Sequence, residues 1–274
     1  MLNEIITIYA IIDDLLRAIG HKEDCRRNMT DAEVITTAVA AAMFFNGNHT
    51  KACDYMKDHK LISNMLEKSR FNRRLHDVDM LINDLFHQIG MILKETSDCT
   101  EYLLDSFPVP ICDNIRIFQV KILKSEDYRG YAASKKRYFY GVKVQLLTTK
   151  SGIPVEFVFM PGSAADVRAL KSLPLNLPPG SKIYADSAYT DYNCEDDLDD
   201  SSEITLNVMR KKNSKRPDQP WIQYIKQSIR HDIETVFSAI TSLFPKSIHA
   251  VTYKGFLLKL QAFIFAFTFK QAFI

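Results

Sequence analysis

Apolar residues at helical spacing open the chain. Leu2, Ile5, Ile6, Tyr9, Ile12, Leu15, Leu16 and Ile19 recur every three or four positions, which predicts a helix over 1–19 ended by Gly20. Thr30-Asp31-Ala32-Glu33 has the spacing of a capping box and leads into the nearly all-apolar stretch 34–45, expected to be a central, buried helix. Asn46-Gly47-Asn48 predicts a turn, followed by short helices over 50–58 and 69–76. A longer helix is expected over 77–95, with Val78, Leu81, Ile82, Leu85, Phe86, Ile89, Ile92 and Leu93 in register. After residue 98 the period shortens to that of strands, expected over 101–112, 138–149 and 153–160. A helix over 164–173, a strand delivering Asp186, a strand over 204–209 and a helix with Ile229, Ile233, Phe237, Ile240 and Phe244 on one stripe complete the pattern.

Three strands followed by alternating helices and strands predict an α/β fold with a mixed sheet, preceded by an all-α domain. The expected domains are 1–98 and 99–274. The Phe-rich end, 256–274, is interrupted by Lys259, Gln261, Lys270 and Gln271, so it is expected to be a core-packed helix rather than a membrane span. At 274 residues, 46% hydrophobic and 25% charged, the chain has the composition of a globular protein with a sizeable core, which excludes a disordered or fibrous class. Cys25, Cys53, Cys99, Cys112 and Cys194 are odd in number and form no CxxC pair, so reduced thiols and no zinc site are expected. Glu4, Asp13 and Asp14 in the first helix argue against a signal or transit peptide, and a cytoplasmic location is expected.

The net charge of +2 changes the picture little, but its distribution does. Segment 115–150 has nine Lys/Arg against two acids, and 207–231 has seven against Asp218 alone, so both are expected to suit a phosphate backbone. Segment 191–203 between them carries seven acids and no base. Residues 1–98 carry twelve Lys/Arg against fifteen acids, so any nucleic-acid contact there has to be a local patch. Arg70, Arg73 and Arg74, at i, i+3, i+4 and near Asn72, are the candidate patch, able to meet phosphates and base edges. The plainer reading is a solvated helix face.

Three carboxylates carry the candidate chemistry. Asp105 lies inside the apolar run Tyr102-Leu103-Leu104-Asp105-Ser106-Phe107, where aspartate is depleted unless paired or metal-bound. Asp186 follows the short strand Lys182-Ile183-Tyr184-Ala185, a position at which α/β proteins place site residues. Glu234 flanks the buried stripe of its helix. Two strand aspartates and a helix glutamate can form a set of hard oxygen ligands for one or two Mg²⁺ ions. The plainer alternatives are a buried hydrogen-bonded Asp105, a capping Asp186, and a Glu234 paired with Arg230, with Asp232 the nearest rival.

The order Asp105, Asp186, Glu234 and the sequence around each resemble the DDE transposases of bacterial insertion sequences. Tyr138-Phe139-Tyr140-Gly141-Val142-Lys143, Gly152-Ile153-Pro154, Gly162 with Asp166, and Arg230 four residues before Glu234 extend the resemblance over roughly 30–270. Gln227 and Thr241 stand where related groups carry a Tyr and a Lys. The resemblance implies an RNase-H-like mixed β-sheet flanked by helices, with 1–98 as a helical DNA-binding domain. It further implies that Asp105, Asp186 and Glu234 are catalytic and hold two Mg²⁺ ions, for which Mn²⁺ substitutes. Double-stranded DNA, as transposon ends and as target, is the implied partner, with a dimer in the DNA-bound complex. Lys143, Arg210, Lys211, Lys212, Lys215 and Arg230 are the implied phosphate contacts beside Arg70, Arg73 and Arg74. A metal-dependent nuclease that cuts without joining, and a non-catalytic DNA-binding derivative, stay open as alternatives.

Overall fold

The computed structural model describes residues 1–97, 100–112, 114–132, 136–245 and 247–274. The chain forms two compact units, Met1–Ile89 with Ser242–Ile274, and Gly90–Thr241. The expected domain boundary at 98–99, Cys99 and Lys135 lie outside the described residues.

The first unit is helical: α1 (Leu2–Ala18), α2 (Asp31–Phe44), α3 (His49–Asp58), α4 (Lys68–Asp77), most of α5 (Asp79–Thr96) and α9 (Tyr253–Ala272). The capping box at the head of α2 is formed in full: Thr30 Oγ1 accepts from the Glu33 N–H at 3.1 Å and Glu33 Oε2 accepts from the Thr30 N–H at 2.7 Å. On α1 the buried face is Ile5, Ile8, Ile12 and Leu16, whereas Ile6 and Tyr9, expected inward, are exposed. At about 100° per residue, Ile6 stands roughly 100° round the helix from Ile5 and farther from Ile12, so the whole apolar set cannot turn inward. The alanines Ala38, Ala40, Ala41 and Ala42 are buried on α2, and α2 packs against α9. Small side chains on one helix make room for Phe256, Phe263, Phe265 and Phe269 on the other, all fully buried. Gly47, at φ +74°, turns the chain where a Cβ would sit 3.0 Å from the Phe263 ring. The Phe-rich helix is thus a core helix, as its interrupting polar residues predict, but it completes the helical unit and not the sheet unit to which the expected division assigned it. Among the described residues no helix is long and apolar enough to cross a membrane.

The second unit holds a six-stranded mixed sheet: β1 (Glu101–Cys112), β2 (Arg129–Ala132), β3 (Arg137–Thr149), β4 (Pro154–Pro161), β5 (Lys182–Ala185) and β6 (Thr205–Val208). Its order is β2-β3-β1-β5-β6, with β4 also paired to β3. The β1, β3 and β4 pairings are antiparallel, and β1–β5 and β5–β6 are parallel. With α6 (Asp166–Leu170), α7 (Tyr192–Ser202) and α8 (Pro220–Leu243), this is the mixed, helix-flanked sheet of an RNase-H-like fold. Tyr102, Leu104, Leu147, Val155, Ile183, Leu206 and Val208 form the core of this unit. Lys94 and Glu156 form a fully buried ion pair at 2.7 Å. The helix expected over 164–173 is confined to five residues.

Candidate active site

Strand pairing delivers two of the acids together. Leu104 on β1 is in register with Ala185 on β5, so Asp105 and Asp186 are the next residues along two adjacent parallel strands. There β5 ends, while β1 continues against β3 with Asp105 opposite Leu146. Asp186 Oδ1 accepts from the Ser187 N–H at 2.6 Å and caps a single turn, Ser187–Tyr189. Asp105 Oδ1 accepts from the Ser106 N–H at 2.7 Å. Burial pushes the Asp105 carboxyl up to about 7 against that hydrogen bond, and the charges of Asp186 and Asp166 push the same way.

Glu234 comes from α8, whose Ile229, Ile233, Phe237 and Ile240 are buried and whose polar side is exposed. Arg230, one turn earlier, donates from Nε to Glu234 Oε1 at 3.2 Å and lies 3.9 Å from Asp186 Oδ1. Asp105, Asp186, Asn207, Lys226, Arg230 and Glu234 line one pocket of about 50 Å³. Organic cofactors need roughly 300–1,000 Å³, so the pocket suits ions and a phosphate oxygen instead. The capping role of Asp186 and the ion pair of Glu234 are both present, as the plainer readings of these residues expect. They share the site with its other feature, a half-buried carboxyl, Asp105, that lacks a full counter-charge.

A buried polar chain lies behind the acids. Ser106 Oγ donates to Asp166 Oδ1 at 3.0 Å, Lys143 Nζ donates to the same carboxylate at 3.2 Å, and Gln145 Nε2 donates to it at 2.6 Å. Tyr189 donates its hydroxyl proton to Gln145 Oε1. This chain ties the residue after Asp105 to the turn that follows Asp186. Gln145 and Tyr189 were missed in the sequence. A signal for Gln145 was there, a lone amide in the apolar strand run 142–147, since a buried amide needs partners.

The expected phosphate contacts divide. Arg70, Arg73, Lys211, Lys212 and Lys215 are exposed, and Arg230 stands between the acids. Three others turn inward. Arg74 binds buried Asp31 and the Met29 carbonyl, so it does not share a surface with Arg70 and Arg73. Lys143 is held by Asp166 and by the Ala164 carbonyl at 2.9 Å. Arg210 forms a two-pronged pair with Glu195 at 2.7 and 2.6 Å, and its side chain is 9% exposed. Moving such a cation to a phosphate would leave a buried carboxylate unpaired, at about 3–5 kcal/mol.

Among the described residues, His21, Glu23 and Asp31 are the group whose ligand atoms all lie within 4.8 Å. There Asp31 already accepts from Arg27 and Arg74, which leaves little for a cation. Asp105, Asp186 and Glu234 do not lie that close to one another, but as three carboxylates with Arg230 as the resident positive charge they are a hard-oxygen donor set of the kind divalent ions take. A family model described as a transposase DDE domain matches residues 98–268. No curated protein and no solved structure matches the chain.

Proposed function

From the premise that the chain belongs to the transposase DDE-domain family, we propose that it is the transposase of a bacterial insertion sequence, cutting DNA phosphodiesters at the element's ends and joining them to target DNA. Asp105, Asp186 and Glu234 are the residues that would hold two Mg²⁺ ions, with Mn²⁺ as a substitute. Bound there, the ions supply Lewis-acid charge to the attacking and leaving oxygens of an in-line displacement. The chain's part is positioning. The two strand aspartates fix one side of the pocket rigidly, because β1 and β5 are hydrogen-bonded up to the residue before each. The buried chain through Asp166, Gln145 and Tyr189 keeps Ser106 and the turn after Asp186 from shifting. Arg230, already poised over two of the three acids, is the residue placed to take a phosphate oxygen. Water attacks the phosphorus at the element's end and gives up a proton, while the bond to the 3′ oxygen breaks and that oxygen leaves as a hydroxyl. The freed 3′-hydroxyl then loses its proton and attacks a target phosphorus, displacing the target strand's 3′ oxygen as the leaving group.

Arg70 and Arg73 are assigned to end recognition, and Lys211, Lys212 and Lys215 to the phosphate backbone, since all five are exposed. The working assembly is a dimer on DNA, in the cytoplasm. The observation that carries this reading is the pocket shared by Asp105, Asp186 and Glu234. The test is to incubate the protein with Mg²⁺, duplex DNA carrying the element's own ends, and a target plasmid. End cleavage leaving a 3′-hydroxyl, followed by joined products, supports it. Cleavage without joining means a nuclease, and no cleavage of either strand overturns the reading.

A further inference from the structure

Deepening the reading of double-stranded DNA as substrate, on which it rests, we propose that a basic groove within the helical unit, walled by α3, α4 and the start of α9, binds the phosphodiester backbone of duplex DNA. The groove has a volume of about 880 Å³. Its walls carry Lys51, Lys68, Lys259, His49, His76 and His249, and neither Asp nor Glu. Among the described residues none of the three lysines has a carboxylate partner; Lys259 Nζ donates to the neutral His249 carbonyl at 2.7 Å. Lys254, also on α9, differs in being paired with Asp79 at 2.7 Å.

Burial and mutual repulsion both act on the cations of the groove. Burial, and next the charge of Lys68, hold the Lys259 ammonium below its ordinary value. Burial, and next the charge of Lys259, hold His49 down to about 4, against the opposing effect of its 3.2 Å bond with Asn72. An anion in the groove would offset the repulsion among these cations, the second cause of both shifts. The N-termini of α3 and α9, capped by Asn48 and Thr252, also open onto it, and helix N-termini add to the preference for anions. The volume is many times that of one phosphate, so a run of phosphates fits where a single ion would leave most cations unsatisfied. Lys68, Asn72 and His76 recur at every fourth position of α4 and form a stripe distinct from that of Arg70 and Arg73. The charge deficit of 1–98 as a whole therefore hides a local surface of the opposite sign.

The test measures binding of a labelled duplex by fluorescence anisotropy across a salt series, for the wild type, a Lys51→Gln/Lys68→Gln/Lys259→Gln variant and the corresponding Lys→Arg variant. Each lost phosphate contact lowers the slope of log K against log salt by about 0.9, so the Gln variant should lose roughly 2.7 in slope and bind at least ~10-fold more weakly at about 0.1 M salt. The Arg variant should retain slope and affinity. A Gln variant that melts early is replaced by lysine-acylation footprinting of the wild type, where duplex DNA should protect Lys51, Lys68 and Lys259. An unchanged slope in a folded Gln variant, or no protection of these lysines, overturns the groove while leaving the transposase reading intact. A wild type that binds no duplex at low salt overturns that reading, and the groove with it.

Discussion

The acid pocket of the sheet unit and the basic groove of the helical unit are out of balance in opposite directions. In the pocket, half-buried Asp105 lies beside Asp186, and the single guanidinium of Arg230 leaves its carboxyl pushed up to about 7. In the groove, Lys259 is pushed down and His49 is held at about 4, with no acid on the walls. Each site lacks what a ligand would bring: a divalent cation in one, a polyanion in the other. Charges elsewhere in the same units are settled internally, as in Lys94 with Glu156, Arg210 with Glu195 and Asp31 with Arg74. The two candidate sites stand out by a shortfall of opposite charge around Asp105 and Lys259, not by the density of charge along the chain. Segment 207–231, rich in Lys/Arg, uses Arg210, Arg216 and Lys226 on acids of the same unit, whereas two of the three groove lysines, Lys51 and Lys68, come from a stretch with more acids than bases.

That contrast between paired and unpaired charge can be broken in three ways. The largest effect is expected from Lys94→Met, which removes the buried ion-pair partner of Glu156 and should cost about 3–5 kcal/mol, read as a lower urea midpoint. A loss under about 1 kcal/mol would mean that Glu156 is not dependent on Lys94. A smaller, pH-dependent effect follows from the two unbalanced sites. Asp105, with its folded value raised, contributes stability that is present below the ordinary carboxylate range and lost as pH rises through about 7. His49, with its folded value lowered, contributes stability that is lost as pH falls from 6.5 toward about 4. In melts without divalent ions, Asp105→Asn should flatten the alkaline side of the stability profile and His49→Gln the acid side. Mg²⁺ should stabilise the wild type more at pH 8 than at pH 5.5, because protons compete with the cation. Equal stabilisation at both would detach Asp105 from the metal. The smallest effect on the fold is expected from neutralising Lys211, Lys212 and Lys215 together, within about 0.5 kcal/mol of wild type, with a flatter salt dependence of DNA binding.

Much of this architecture was legible in the chain. The capping box at Thr30, the helical register of 77–95, the strands around Asp105 and Asp186 and the buried stripe of the Glu234 helix all follow from local period and cap chemistry. What local pattern does not encode is the partner across the fold. β2 is four residues long, too short for a period to show. The acidic run 191–203 contains α7, capped by Asp191 and packed through Cys194 and Leu198, but its seven acids mask those two apolar positions. The inward turn of Arg74 depends on Asp31 and that of Arg210 on Glu195, contacts set by helix packing and strand order. For the same reason the acid-free groove could not be foreseen: its lysines come from α3, α4 and α9, separated by up to some two hundred residues of sequence.

The central claim is that Glu234 serves a metal-dependent reaction and is more than the ion-pair partner of Arg230. The direct measurement is the rate of Mg²⁺-dependent cleavage of end-bearing duplex by Glu234→Gln, alongside its melting temperature and its affinity for the same DNA. Glu234 is exposed, and an exposed helical ion pair contributes only about 0.3–0.5 kcal/mol, so stability and binding should barely change. Cleavage should fall by orders of magnitude, because the lost carboxylate is one of the three that hold charge where the reaction needs it. An equally stable variant that cleaves at near the wild-type rate would contradict the assignment and make Asp232 the next residue to test.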